Sequence, residues 1–151
     1  MKKKVYCFTC NKDVEPNHKK EKNTYTVHKQ KVTVEEEILS CPYCKNELMN
    51  EILDDSLYNI YNAYLKLYDL SFEKLKEIRN SYNLSQELFA IALGWSKRTI
   101  VRYENAESLP QNQYLAIYKK ILNNKNEFLN ILKSNQNSVD KTTYFKIYNT
   151  I

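Results

Sequence analysis

The sequence all but lacks glycine. Its 151 residues contain one, Gly94, and the only tryptophan, Trp95, follows it directly. That scarcity excludes a phosphate-cradling glycine loop. No run of about 18 apolar residues occurs either, which excludes a membrane-spanning helix. The start, MKKKVYCFTC, is basic but has no apolar stretch behind it, so it is not a signal peptide. The expected location is cytoplasmic, where thiols stay reduced. Four cysteines in that setting point to metal or redox chemistry rather than disulfides. No Ser-His-Asp arrangement or carboxylate pair suggests catalysis, and Glu35, Glu36 and Glu37 read as a solvated strand edge. The chain is not expected to be an enzyme.

What is present is enough apolar residue, 42%, for a packed core in one domain or two small ones. Net charge is only +5, but it is unevenly spread. Residues 1–50 carry +3, residues 51–84 carry −2, residues 85–110 are neutral and residues 111–151 carry +4. A basic balance of this kind suits nucleic acid, although a solvated lysine-rich face looks the same.

Between the cysteines, TYTV (24–27) and KVTVEEEIL (31–39) are rich in β-branched and aromatic residues. They predict a β-hairpin, with His28, Lys29 and Gln30 between the strands and no Asn-Gly turn to fix the register. Further on, Leu53, Leu57, Ile60, Tyr64 and Leu67 recur at i+3 and i+4, predicting an amphipathic helix across residues 50–70. Its tyrosines, Tyr58, Tyr61, Tyr64 and Tyr68, read as core before interface. From residue 71 the chain reads as helical, over 72–82, 85–93, 96–106, 111–122 and 125–133, with Ser71 suited to an N-cap. Residues 134–140 read as a loop, and TTYFKIYNTI after them is apolar enough to dock.

The lone glycine falls between two of these helices, in SQELFAIALGWSKRTIVRYE (85–104). Phe89, Ala90, Leu93, Ile100 and Tyr103 face inward if the helices cross steeply, and Ala90 is small because the second helix approaches it. Gly94 suits a left-handed helix end; Trp95 plugs the corner and Ser96 caps the next helix. This is a helix-turn-helix pattern. Ser96, Lys97, Arg98, Thr99 and Arg102 cluster on the outer face of the second helix. Such residues read base edges or hold phosphates. Gln86, at the start of the first helix, is placed to meet a phosphate, and Lys119, Lys120 and Lys125 would add backbone affinity. The stretch from KLKEIRNSYNLSQE to RYENAESLP resembles the Xre-type DNA-binding domain. Where that family often has glycine, Ala106 stands here, so the recognition helix is expected to run slightly longer.

Cys7-Phe8-Thr9-Cys10 and Cys41-Pro42-Tyr43-Cys44 form two CxxC knuckles separated by thirty residues, enough for a hairpin that brings them together. Two knuckles complete a tetrahedral four-sulfur shell suited to Zn²⁺, with no open position for catalytic water. Asn11 and Asn46 fall where the knuckles need left-handed geometry. His18 and His28 are alternative ligands, or surface histidines. A module this small gains much of its stability from the ion. The expected fold is α+β with two domains. A small zinc-bound β-hairpin module (1–49) leads through a linker helix (50–70) to an all-α, five-helix helix-turn-helix domain (71–134) and a C-terminal tail (135–151).

A four-cysteine module joined to an Xre-type domain resembles the MqsA-type antitoxins, the YgiT-type zinc finger proteins. The Leu93-Gly94-Trp95 turn is similar to a subgroup often fused to a Panacea (SocA-like) domain, which is not expected within these 151 residues. The resemblance implies structural zinc on Cys7, Cys10, Cys41 and Cys44, and DNA reading by Arg102. It also implies a homodimer on a palindromic operator that represses its own operon, and neutralisation of a toxin, the product of an adjacent gene, by the zinc module. The alternative is a stand-alone zinc-containing regulator with no toxin partner. No membrane partner is expected.

Overall fold

The computed structural model describes residues 3–49 and 53–151. The chain divides into two compact units, the first ending at Tyr64 and the second beginning at Leu65. The expected two-domain α+β layout is thus present.

The first unit opens with strands β1 (Val5–Cys7) and β2 (Lys12–Val14), paired antiparallel with Cys7 opposite Lys12. A long hairpin follows, β3 (Asn17–Val27) and β4 (Gln30–Ser40), in register from Asn17↔Ser40 to Val27↔Gln30. The expected strands are therefore real but longer at their open end. The turn is two residues, His28 and Lys29, with φ of 45° and 66°. Two successive left-handed residues match the twist of a hairpin, a geometry that Asn-Gly usually supplies. Here the long ladder holds His28 and Lys29, neither of them glycine, in that geometry.

β4 serves two interiors. Val32 and Val34 point to one side. Leu39 points to the other, where it packs with Cys7, Val14, Cys41 and Leu48. The acidic run pairs across the hairpin rather than lying bare. Lys20 reaches Glu35 at 3.8 Å, His18 bonds Glu37, and Glu36 accepts hydrogen bonds from Tyr25, Asn23 and Ser56. The Tyr25 hydroxyl and then the Asn23 amide hold the Glu36 carboxyl below its ordinary range.

Helix α1 spans Leu53–Lys66; the expected start at residues 50–52 lies outside the described residues. Its buried face keeps only part of the predicted stripe, Tyr64 with Ile60 half-buried. Tyr64 and Leu65 are fully buried, whereas Leu57 and Leu67 are half exposed. The helix stops at Lys66, Asp69 turns left-handed, and the Leu70 amide bonds the Leu65 carbonyl. Leu67 thus lies past the helix end, off its periodicity.

The second unit contains α2 (Phe72–Ser81), α3 (Gln86–Leu93), α4 (Lys97–Glu104), α5 (Asn112–Ile121) and α6 (Lys125–Ser134), the five expected helices. Ser71, Ser85, Ser96 and Asn124 cap four of them with side-chain oxygens. The last segment departs from the expected tail. A 3-10 turn (Gln136–Ser138) leads into α7 (Lys141–Thr150), capped by Asp140. α7 buries Ile147 completely and packs on α3. The core is aromatic at its centre. Phe128 stacks on Tyr82 at 4.3 Å and on Phe89 at 5.9 Å, and the Tyr82 hydroxyl donates to the Ile121 carbonyl.

Candidate metal centre and nucleic-acid interface

Each knuckle is built by a strand end and a left-handed residue. β1 delivers Cys7, the chain turns through Phe8, Thr9 and Cys10, and Asn11 at φ 53° returns it to β2. β4 delivers Cys41, and the second turn closes at Lys45, φ 66°. The left-handed residue expected at Asn46 is therefore Lys45. The Lys45 amide bonds the Cys41 carbonyl at 3.0 Å and the Cys41 amide bonds the Asn46 carbonyl at 2.9 Å, so position 45 closes the loop. Asn46 instead ties the knuckles together, its side-chain amide donating to Thr9 Oγ1 at 3.0 Å.

The four sulfurs lie within 4.8 Å of one another, with Cys7 to Cys44 at 3.6 Å and Cys10 to Cys41 at 3.8 Å. A Zn–S bond of about 2.3 Å in a tetrahedron requires S···S edges of about 3.8 Å. The residues therefore fit a zinc ion, and all four positions would be filled by protein. Cys7 and Cys41 are buried; Cys10 and Cys44 are half-buried. Burial and hydrogen bonds with Cys41, Cys44 and Cys7 push the Cys10 thiol up to about 12. Burial is the largest influence on Cys41 and works to raise it, but hydrogen bonds from the Cys44 and Tyr43 amides and with the Cys44 and Cys7 thiols together bring that thiol down to about 6. Cys41 is thus drawn toward the thiolate while Cys10 and Cys44 are drawn toward the thiol, and a divalent cation would displace their protons on binding. The two histidines are not with the sulfurs. His18 sits exposed on β3 beside Glu37, and His28 lies in the hairpin turn with its ring 5.5 Å from Tyr64.

In the second unit Gly94 takes φ 74°, and the amides of Gly94 and Trp95 bond the carbonyls of Ile91 and Ala90. This closes α3 in a Schellman motif. A second constraint was not legible. A Cβ at position 94 would stand 3.2 Å from Asn135 Oδ1, whose amide nitrogen bonds the Ala92 carbonyl. Trp95 packs against Tyr114 at 4.9 Å and Tyr118 at 5.4 Å. Phe89, Ala90, Leu93, Ile100 and Tyr103 are all buried.

Lys97, Arg98 and Arg102 stand exposed on α4. Ser96 and Thr99 are placed differently: Ser96 Oγ accepts from the Thr99 amide, and the two hydroxyls bond each other at 2.9 Å. Gln86 is half-buried, and its amide nitrogen donates to Glu104 Oε1 at 3.3 Å. Glu104 also takes a bidentate pair from Arg79 at 2.7 and 2.8 Å, and Arg79 bonds the Leu84 carbonyl at 2.8 Å. Side-chain exposure is 11% for Arg79 and 2% for Glu104. This buried pair joins α2, the start of α3 and the end of α4, and it fixes how Gln86 and the α4 face are presented. Twenty-five residues separate the partners, so no local spacing signals it.

α4 does not run longer in the absence of glycine at 106. It stops at Glu104 because Ala106 adopts φ 58°, and the Glu107 amide bonds the Arg102 carbonyl.

Residues 75–125, about a third of the chain, match the helix-turn-helix family. They form an Xre-type helix-turn-helix domain, of the kind found in DNA-binding regulators. No curated protein matches the chain.

Proposed function

We propose that this protein is a sequence-specific DNA-binding antitoxin and autorepressor, with a structural zinc module that binds the toxin. The observation that carries the DNA-binding part is the α4 surface, where Lys97, Arg98 and Arg102 are exposed within a helix-turn-helix domain. Inserted in a major groove, α4 would offer Arg98 and Arg102 to guanine edges. Lys97, Ser96 and Thr99 at its start, and Gln86 at the start of α3, would meet phosphates. Lys119, Lys120 and Lys125, all exposed, would add sequence-independent affinity. Zinc on Cys7, Cys10, Cys41 and Cys44 would supply fold rather than chemistry, since four sulfurs leave no place for a substrate. Dimerisation on a palindrome follows from the docking geometry of such domains. The toxin-binding role is supported by the pairing of a four-cysteine module with an Xre-type domain.

Two measurements test this. Replacing Arg102 by alanine should cost about 1–3 kcal/mol of operator affinity and relax specificity at one base pair. An unchanged ratio of specific to non-specific binding would remove Arg102 from base reading. Co-expression with the adjacent gene's product, followed by size-exclusion chromatography with zinc quantified, should give one complex that needs residues 1–49. Free migration of the zinc-loaded protein would leave a regulator without a toxin.

A further inference from the structure

We propose that the cysteine module carries a second nucleic-acid site, for unpaired bases, built on Phe8 and Tyr43 at the tips of the two knuckles. Phe8 is 74% exposed and Tyr43 66%. Large rings are thus held in water at the middle of each CxxC, where the fold asks only for a turn. They are also held in place. Tyr6 meets Phe8 edge-on at 5.1 Å and is itself anchored through its hydroxyl to Asn11. Lys12 lies 3.9 Å above the Tyr43 ring, reaching from the first knuckle's strand to the second knuckle.

Two lysines are placed at the knuckles themselves. Lys12 lies over the Tyr43 ring, and the Lys45 ammonium donates to the Pro42 carbonyl at 3.0 Å; Asp13, opposite Tyr6 in β2, and Glu47 mark the border. Lysine is depleted in the cores of protein–protein interfaces. Exposed aromatic faces beside lysines instead suit a stacked base with its phosphate neutralised alongside. Paired bases cover one another's faces, so the ligand is a single strand, in contrast to the base edges available to α4. Such a site is tolerant of sequence and weakened by salt. It goes beyond the reading of the protein as an operator-binding antitoxin.

The test uses the full chain with its metal and a fluorescein-labelled oligouridylate or oligothymidylate of about ten nucleotides, a length within the usual site size. Anisotropy is followed at low salt. The wild type should bind both. Each ring replaced by alanine should weaken binding by about 5- to 150-fold, the range for one stacked base, while Arg102→Ala should leave it unchanged. Metal content is measured in each variant. If Phe8→Ala or Tyr43→Ala loses metal, Phe8→Leu with Tyr43→Leu decides, because leucine keeps the bulk and removes the stacking face. No binding of either strand, affinity indifferent to Phe8 and Tyr43, or loss through Arg102→Ala would each overturn the proposal. So would a double variant that loses only a protein partner, or only phosphatidylserine vesicles, and not the oligonucleotide.

Discussion

The two compact units are held by different forces. Around the knuckles, the buried cluster is Cys7, Val14, Leu39, Cys41 and Leu48, so two of its five members are candidate metal ligands. The helical unit buries Phe89, Ile100, Leu115, Tyr118, Ile121, Phe128, Leu132 and Ile147 completely. Among the described residues, Tyr64 is the one large, fully buried side chain of the first unit. The contrast shows two answers to one problem. Ordering a chain costs about 1–2 kcal/mol per residue in backbone entropy. Apolar burial offsets that cost in the helical unit, whereas the knuckles, with little to bury, would rely on the free energy of metal binding.

Cys41→Ser is the hardest test of this contrast. Structural zinc carries an apparent binding free energy of about 10–16 kcal/mol, most of it coupled to folding. Metal and hairpin order should both be lost, while helical circular dichroism, Trp95 fluorescence and operator binding persist. Simultaneous loss of all these signals would mean that the units do not stand separately.

Arg79→Ala probes the other side. Removing one partner strands the Glu104 carboxylate in the core, and a loss of about 3–5 kcal/mol is expected in urea unfolding of the helical unit. Metal content should not change. A loss below about 1 kcal/mol would place the pair with exposed ion pairs despite its burial.

Two smaller substitutions compare the ends of the helix-turn-helix. Gly94→Ala forces an L side chain into left-handed geometry and against Asn135, 3.2 Å away, so a cost of about 1–2 kcal/mol is expected. Ala106→Gly does the reverse at φ 58° and should stabilise by about 0.5–1 kcal/mol. Both are read from thermal midpoints of the full chain. Destabilisation by Ala106→Gly would mean that its methyl group packs for more than its backbone strain costs.

Legibility in the sequence followed the range of the interaction. The knuckles, the caps at Ser71 and Ser96 and the corner at Gly94 were legible because each is a local rule written in a few adjacent residues. What was hidden depends on distant partners. Among the described residues, eight other than glycine turn left-handed, including Lys29, Lys45 and Ala106, which have little intrinsic tendency to do so. The penalty at each, about 1–2 kcal/mol, is small beside what a paired ladder or a packed corner returns, so tertiary structure overrules local preference. Leu57 and Leu67 fit a helical period but not the face the fold buries. No residue adjacent to Glu104 signals the Arg79 that α2 brings to it. For DNA contact, the sequence placed Lys97, Arg98 and Arg102 on an outer face of α4, but not the anchoring of Gln86 that precedes any contact.

The bond from Asn135 to the Ala92 carbonyl separates the unit that evolution repeats from the unit that folds. The recurrent motif ends near residue 125. Phe128, Leu132, Asn135 and Ile147 lie past that limit, yet they complete the interior behind α3 and close its last turn. A fragment trimmed to the motif would keep every residue proposed to touch DNA and lose the wall against which those residues are aimed. Change in the last seventeen residues, 135–151, can therefore retune the helices proposed to face DNA without altering any of their side chains.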